Sequence, residues 1–330
     1  MKPFPRPQFI QLYPLTRCNQ NCSFCFNRPA GLPREMSAEN ALNLLDIMLS
    51  HSIRELDIMG GEPFLLPWMP SFLHTAVKEG IMVNISTNGS IPEVMEEFRG
   101  LSPGKINIGI SLEGSSSQIH RHLTNADYFE KALTGISSLV SIGLNPIVKT
   151  VVNRTTMPDI PLIAELLIKR GVRRYYLIHM DMLTDTISGR RSALGYPDFL
   201  SFFKAIRSAN RDIEIYKVNA SCFEKQTLPE GVRCAGGVRK LSVMPDGSVY
   251  PCNLFQHVPA FNLGNIFSNT FSELWSGSKL DYFRTFEGNS CGEKNCLHHD
   301  SCTGGCPAHA VLHGRGLQGR DIRCQEKTTP

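Results

Sequence analysis

The sequence lacks an apolar run long enough to cross a membrane. No stretch approaches the roughly 18 apolar residues that a membrane-spanning helix needs. The first seven residues contain three prolines and do not lead into the apolar segment of a secretion signal. We therefore expect a cytoplasmic protein without a membrane partner. Because disulfides are rare in the cytosol, the eleven cysteines favour metal ligation.

An excess of one charge is also missing. The chain has 34 Lys and Arg against 30 Asp and Glu, and no run of five like charges occurs. A nucleic-acid binder usually concentrates positive charge on one face or in one segment. We therefore expect no nucleic-acid partner.

A fourth metal ligand is missing near the N-terminal cysteines. Cys18, Cys22 and Cys25 stand within eight residues, no histidine precedes His51, and the next cysteine is Cys222. Structural zinc ordinarily takes four protein ligands, whereas an iron-sulfur cluster held by three cysteines keeps one iron open to a small molecule. Two other interpretations remain: three buried thiols without a metal, or a zinc site completed by distant residues.

Apolar strands alternate with amphipathic helices through the first two thirds of the chain. Strands are predicted over residues 9–14, 55–59, 82–86, 106–111, 146–152 and 173–179. Helices are predicted after an N-cap at Ser37 and over residues 127–141 and 159–170. This alternation implies parallel strands with right-handed crossovers. We expect an α/β fold: a partial (β/α)6 TIM-like barrel over residues 1–215, with functional residues at its C-terminal strand ends, and a cysteine-rich extension over residues 216–330.

The pattern Cys18-x3-Cys22-x2-Cys25 resembles the signature of the radical S-adenosylmethionine (SAM) enzymes. The resemblance implies that the three cysteines bind a 4Fe-4S cluster whose open iron chelates the amino and carboxylate groups of SAM. An electron from the cluster then cleaves SAM to a 5'-deoxyadenosyl radical. The residue before the last cysteine is usually aromatic and lies near the adenine, a position that Phe24 occupies here.

Polar turns follow three of the predicted strands. By itself, Gly60-Gly61-Glu62-Pro63 is a turn in which glycine permits positive φ and close backbone approach; the resemblance implies that it contacts the SAM amino group. The resemblance further assigns Thr87 and Asn88 to a second SAM-binding turn, and Ser111 to the SAM carboxylate or ribose. Many relatives have an arginine for the carboxylate where this chain has Thr124, which leaves Arg121 as the candidate.

A base is predicted at the end of the sixth strand. Strand alternation places His179 and Asp181 on one face, where either could accept a proton if it points into the barrel. The alternative is a histidine at the start of a loop and an exposed aspartate.

The C-terminal third contains eight cysteines. A hairpin is predicted over residues 242–251 and helices over residues 265–275 and 278–286. The cysteine spacing resembles the SPASM extension of radical SAM enzymes, which binds two auxiliary 4Fe-4S clusters. The resemblance assigns one cluster to Cys222, Cys234, Cys252 and Cys306, and the other to Cys291, Cys296, Cys302 and Cys324.

Two departures from this pattern bear on the assignment. Cys291 and Cys296 enclose four residues where the family usually has two, and Cys222 lies outside the common seven-cysteine pattern, so it could be a buried thiol. A zinc ribbon would use the same thiolates at compatible distances.

Together these features predict an oxidative radical SAM enzyme with SAM and three 4Fe-4S clusters as cofactors. Its radical would remove a hydrogen atom from a peptide or protein side chain, and an auxiliary cluster would oxidise the substrate radical, giving a crosslink or an oxidised residue. Asn253 stands where sulfatase-maturing relatives have an aspartate base, which disfavours formylglycine formation. The alternatives are dehydrogenation of a small molecule, such as an aminocyclitol sugar or a tetrapyrrole side chain, and a non-catalytic iron-sulfur or zinc protein.

The expected partners are the substrate and a reductant such as flavodoxin or ferredoxin. Only 17 residues precede Cys18, too few for an N-terminal leader-binding domain, so a peptide substrate would dock directly or through a separate leader-binding protein.

Overall fold

The computed structural model describes residues 5–27, 34–183, 192–289 and 291–324. Its centre is one ten-stranded sheet in the order β10-β9-β8-β1-β2-β3-β4-β5-β6-β7. The strands are β1 Phe9–Leu12, β2 Glu55–Ile58, β3 Met82–Thr87, β4 Ile106–Ser111, β5 Ile147–Val152, β6 Arg174–His179, β7 Glu214–Val218, β8 Lys240–Val243, β9 Ser248–Tyr250 and β10 Gly264–Asn265.

Helices between the parallel strands cover one face of the sheet, and three of the described helices follow β10. They are α1 Ala38–Ser50, α2 Met69–Lys78, α3 Ser117–Thr124, α4 Phe129–Ser141, α5 Ile160–Lys169, α6 Tyr196–Ala209, α7 Phe271–Ser276, α8 Asp281–Arg284 and α9 Pro307–Leu312. The Ser37 side chain caps α1 as predicted, accepting a hydrogen bond from the Asn40 backbone N–H. None of the described helices is both long enough and apolar enough to cross a bilayer.

The two faces of the sheet differ in polarity. Alternate strand residues such as Leu56, Val83 and Val148 are buried in the core that the helices complete. On the opposite, inner face, polar side chains bond from strand to strand; for example, Gln11 Nε2 donates to Asp57 Oδ2 at 3.0 Å. The partial TIM-like barrel is thus confirmed, and its concave interior is polar.

The C-terminal segment adds strands to the same sheet. β8 pairs in parallel with β1, and β9 and β10 follow in antiparallel order. The predicted hairpin over residues 242–251 is therefore present as β8 and β9. The predicted domain boundary after residue 215 falls inside β7, which pairs with β6 from Arg174↔Glu214 to Ile178↔Val218.

The helix predicted over residues 265–275 is wrong in its first half. Asn265 belongs to β10, and α7 begins only at Phe271. Asn265 and Asn269 exchange side-chain and backbone hydrogen bonds, which favours a turn over a helix. The helix starts where Thr270 and Glu273 form a capping box. The second predicted helix, over residues 278–286, is a 3-10 turn at Ser278–Leu280 followed by α8.

Candidate active site

The N-terminal cysteines lie on a loop held between two elements of the barrel. The backbone N–H groups of Asn21 and Ser23 donate to the Thr124 and Leu123 carbonyls at the end of α3, at 3.0 and 2.9 Å. Cys18 and Cys25 are exposed, and Cys22 is half-buried. Although Cys18 is exposed on the surface of the loop, the surrounding protein partly desolvates its thiol and, with Glu62 and Cys25 nearby, raises its pKa. Cluster binding must therefore displace a proton from this thiol.

A hydrogen-bond network ties the same loop to the turn after β3. Asn88 Nδ2 donates to Asn19 Oδ1 at 2.8 Å and lies 3.7 Å from Cys18 Sγ. Asn19 Nδ2 in turn donates to Ser90 Oγ at 2.8 Å, and the Ser90 backbone N–H donates to Asn88 Oδ1 at 2.9 Å. Asn88 thus orients the first cysteine, a contact that accompanies the SAM-binding role predicted for it.

The Gly60-Gly61 turn packs against the backbone that leads into Cys18. The Gly61 and Glu62 N–H groups donate to the carbonyls of Leu15 and Arg17, both at 3.0 Å. A Cβ at Gly61 would lie 1.8 Å from the Arg17 carbonyl oxygen. Glycine is therefore required for the turn after β2 to approach the cysteine loop. Pro63, the fourth residue of the motif, is buried and opens a 3-10 turn.

The buried carboxylate of Glu62 connects the turns that follow β2 and β3. Its carboxylate accepts hydrogen bonds from Thr87 Oγ1 at 2.7 Å, the Asn88 N–H at 2.7 Å and the Phe64 N–H at 3.1 Å. Only 1% of the residue is exposed. Burial raises the pKa of Glu62 to about 7, and the hydrogen bonds oppose the shift. In this arrangement Glu62 and Thr87 position the β3 turn.

Phe24 faces an apolar wall inside the barrel. It packs on the cluster that Met180 and Met182 form at the end of β6, together with Val151 of β5 and Ile322. An aromatic ring beside two polarisable thioethers suits a flat heterocycle such as adenine. Sequence reasoning found Phe24, but it missed the methionines, because their positions depend on the end of β6.

Ser111 and Arg121 occupy different environments. Ser111 is half-buried at the end of β4, whereas Arg121 is exposed on α3. Thr124, where relatives have arginine, is buried and donates from its hydroxyl to the His120 carbonyl at 2.8 Å. The structure therefore uses Thr124 to close α3.

Glu113 is a buried acid near this site that sequence reasoning did not single out. Its Oε2 accepts from the Val151 N–H at 3.0 Å, and burial raises the pKa of Glu113 to about 8. The signal available in the sequence was its place directly after β4, beside Ser111. Glu113 links the ends of β4 and β5 beneath the cysteine loop.

The two predicted base candidates, His179 and Asp181, have different surroundings. His179 faces the helix layer: it stacks on Phe199 with ring centroids 4.6 Å apart, and its Nε2 bonds to the Leu194 carbonyl at 2.9 Å. Burial lowers the pKa of His179 to about 3. Asp181 lies beyond the strand, because β6 ends at His179. Strand alternation therefore does not extend to Asp181, and the base role of either residue stays a prediction.

Asp181 is engaged in a buried charge network that includes the C-terminal cysteines. Arg323 donates from Nη1 to Asp181 Oδ1 at 2.8 Å and from Nη2 to Asp321 Oδ2 at 2.9 Å. The same Asp321 oxygen accepts from the Cys306 N–H at 2.9 Å. Burial alone would raise the pKa of Asp321, but Arg323 lowers it. The network, which sequence reasoning missed, fixes the segment between Cys306 and Cys324 against the barrel.

The first auxiliary set of cysteines comes together in the fold. The thiols of Cys234 and Cys306 both form hydrogen bonds with the thiol of Cys222, and both lie close enough to Cys252 to raise its pKa. Contact with Cys234 and Cys306 raises the pKa of Cys222. Four converging thiols suit a thiolate-bound cluster, and Cys222 lies among them.

The second auxiliary set lines one cavity. Cys291, Cys296, Cys302 and Cys324 all border it, together with Tyr196 and Phe223 from the barrel side. The Gly304 and Gly305 N–H groups point at Cys302 Sγ from 3.3 and 3.2 Å. Backbone donors of this kind stabilise a metal-bound thiolate. Cys291 and Cys296 thus border the same cavity although four residues separate them.

Fold and site together define a class of protein: a partial α/β barrel whose strand ends present a three-cysteine loop, followed by a cysteine-rich extension. A model described as the radical SAM superfamily matches residues 12–168, and a model described as the SPASM iron-sulfur cluster-binding domain matches residues 234–307. The chain belongs to the radical SAM superfamily and has a C-terminal SPASM domain. It is an enzyme, and its cofactors are SAM and iron-sulfur clusters.

Known relatives differ in the activities that their names state. The chain is 24% identical to mycofactocin maturase MftC of Mycobacterium tuberculosis, over 93% of this chain and 80% of MftC. It is 25% identical to the AdoMet-dependent heme synthase of Methanosarcina barkeri, over 83% of each. The crystal structure of Streptococcus suis SuiB bound to S-adenosylmethionine superposes with a TM-score of 0.79 at 17% identity, covering 98% of this chain and 78% of SuiB. The structural similarity to SuiB concerns the fold alone.

Proposed function

We propose that the protein is a radical SAM oxidoreductase that modifies a peptide. The proposal rests on the three-cysteine loop, which Gly61 and Asn88 hold at the mouth of a polar barrel. Cys18, Cys22 and Cys25 would hold a 4Fe-4S cluster. That cluster with SAM supplies a 5'-deoxyadenosyl radical, the species able to take a hydrogen atom from an unactivated carbon.

The protein's own residues position the reactants and exclude water. Phe24, Met180 and Met182 supply an apolar wall beside the cysteine loop, and Glu62 fixes the turn that carries Asn88. The auxiliary sets of four cysteines would each hold a 4Fe-4S cluster, and the set containing Cys252 would accept the electron from the substrate. The amide of Asn253, next to Cys252, cannot take up a proton, so the accompanying proton must go elsewhere.

A peptide substrate is supported by the relatives. MftC is named a maturase, and another relative, AlbA of Bacillus subtilis, is named a biosynthesis protein of the bacteriocin subtilosin. We expect a crosslink or an oxidised side chain as the product, with flavodoxin or ferredoxin as the reductant and a leader-binding protein as a further partner. The heme synthase relative favours one second candidate, oxidation of a tetrapyrrole side chain.

Metal analysis and SAM cleavage test the proposal together. After anaerobic reconstitution, three clusters correspond to about twelve irons per chain. Replacing Cys18, Cys22 and Cys25 together by Ala should abolish 5'-deoxyadenosine formation and leave roughly eight irons. If the fully loaded wild type with reductant forms no 5'-deoxyadenosine, the proposed activity is wrong. Two bound zincs without iron would identify a structural metal protein instead.

A further inference from the structure

Beneath the cysteine loop, one lysine reaches across a strand of the sheet. Lys149 lies on β5 beside Ser111 of β4, yet its Nζ donates to Ser86 Oγ of β3 at 2.6 Å. The β4 residue between them is Gly109, where a Cβ would lie 2.4 Å from Lys149 Cε and 2.7 Å from Nζ. The absence of a side chain at Gly109 therefore opens the path by which Lys149 meets Ser86.

Among the residues that the structure describes, the ammonium group of Lys149 has no ion-pair partner. Throughout the described ranges, no carboxylate oxygen comes within 4.0 Å of its Nζ. Asp57 attracts it from farther away, and the Asp57 carboxylate accepts from Gln11 at 3.0 Å. An ammonium has three N–H donors, of which Ser86 takes one. An unpaired charge inside a protein is costly, so a bound anion would stabilise the arrangement.

The position of the pair separates it from the residues around the cysteine loop. Val151, which follows Lys149 by two residues on the same face of β5, packs on the same Met180–Met182 cluster as Phe24. Ser86 precedes Thr87 and Asn88, the turn that reaches Cys18. Two residues of a strand correspond to about 6.6 Å. Lys149 and Ser86 thus lie one layer deeper in the barrel than the residues that contact the cysteine loop.

We propose that Lys149 and Ser86 bind the carboxylate of the substrate, which defines the substrate class as carboxylate-bearing molecules. The inference rests on the proposed function. SAM, chelated at the mouth of the barrel, would occupy the upper layer around the cysteine loop. The lower layer, formed by Lys149 and Ser86, therefore receives the second ligand, which is the substrate. Two free N–H donors of Lys149 and the Ser86 hydroxyl match the acceptors of one carboxylate. A phosphate ordinarily recruits arginine or a helix N-terminus as well.

Binding of a small acid tests the site directly. The probe is 3,3,3-trifluoropropionate, compared with its amide by fluorine NMR line broadening on the reconstituted wild-type protein. We expect the acid to bind and the amide to bind at least tenfold more weakly. K149M should raise the dissociation constant of the acid at least tenfold, K149R should retain most of the binding, and the exposed matched control K169M should match the wild type. G109A, which obstructs the path of Lys149, should also weaken binding.

The other results decide whether the site binds the carboxylate of the substrate. If the acid does not bind the wild type, or binds K149M as well as the wild type, the assignment is wrong. Displacement of the acid by SAM would assign Lys149 to the SAM carboxylate and overturn the substrate assignment, whereas unchanged binding supports it. The same preparation is assayed for 5'-deoxyadenosine. Loss of that activity with acid binding intact would refute the proposed function alone.

Discussion

Glu62 makes the stability of the protein depend on pH. Burial raises its pKa to about 7, whereas an unfolded glutamate titrates at about 4.3. The folded state therefore binds more protons between these values, and stability decreases as the pH rises through this window. The decrease amounts to about 4 kcal/mol at most, from 1.36 kcal/mol per pKa unit. Above pH 7 the contribution is constant.

The variant E62Q should lose this dependence because glutamine does not titrate. Urea unfolding of the reconstituted proteins between pH 5 and 8 measures it: the stability of the wild type relative to E62Q should fall with rising pH up to about pH 7. E165Q, a substitution on the exposed face of α5, is the matched control, and its difference from the wild type should be flat. Parallel profiles for wild type and E62Q would contradict the role given to burial.

Gly61 is the residue whose side chain the cysteine loop cannot accommodate. In G61A the new Cβ would stand 1.8 Å from the Arg17 carbonyl oxygen, so the loop must move by about an ångström. A displacement of that size can cost on the order of 100-fold in rate. We expect SAM cleavage to fall accordingly. G104A is the control because a Cβ there meets nothing nearer than 4.0 Å. Wild-type cleavage by G61A would show that the turn tolerates a side chain.

The residues of the candidate site were predictable where a short motif identifies them. Cys18, Cys22, Cys25 and the Gly60-Gly61 turn are short motifs that can be read without knowing the fold. The partners of Glu62, the path of Lys149 over Gly109 and the orientation of His179 were not. They depend on strand register and on where β6 ends, and shifting either by one residue turns a side chain to the other face.

At the level of elements, the Asp321–Arg323 pair joins the loop after β6 to the C-terminal cysteines. Both side chains are fully buried. Removing one partner of such a pair leaves an uncompensated charge and typically costs about 3 to 5 kcal/mol. R323M should therefore lower the free energy of unfolding by that order and release iron bound through the flanking Cys306 and Cys324.

Chemical unfolding and iron content of reconstituted R323M measure this loss. The exposed R315M variant serves as the control and should keep wild-type values. Because Asp181 is the third member of the network, D181N should destabilise the protein less than R323M, leaving the buried Asp321–Arg323 pair intact. A stable R323M protein with full iron content would exclude the structural role.

Element order was predictable for the six strands of the barrel because strand and helix periodicity alternate through them. β7 was not predicted, and neither was the pairing of β8 with β1. The sequence predicted β8 as one strand of a local hairpin, and that hairpin is confirmed. The sequence carries no local signal that this arm also pairs with a strand about 230 residues earlier, which depends on the closure of the whole chain.

For the whole molecule, that pairing makes the SPASM segment part of the barrel's sheet. Gln11 of β1 accepts from Ser242 Oγ of β8 at 3.0 Å, and Leu241 and Val243 are fully buried in the common core. A chain limited to residues 1–233 would leave β1 as an unpaired edge beside an exposed apolar surface. Such edges promote aggregation. We therefore expect this shortened chain to be insoluble or to lack a cooperative unfolding transition, even with the N-terminal cysteines reconstituted.

The shortened chain loses both auxiliary-cluster cysteines and strands β8 to β10. A second protein is needed to distinguish the effects of these two losses. The full chain with Cys234 and Cys252 replaced by Ser keeps β8 to β10 and should remain soluble while binding about four fewer irons. Size-exclusion chromatography and circular dichroism distinguish the two cases. A monomeric, cooperatively folded 1–233 chain would show that the barrel does not need β8. Aggregation of both proteins would mean that the cluster stabilises this edge of the sheet more than strand pairing does.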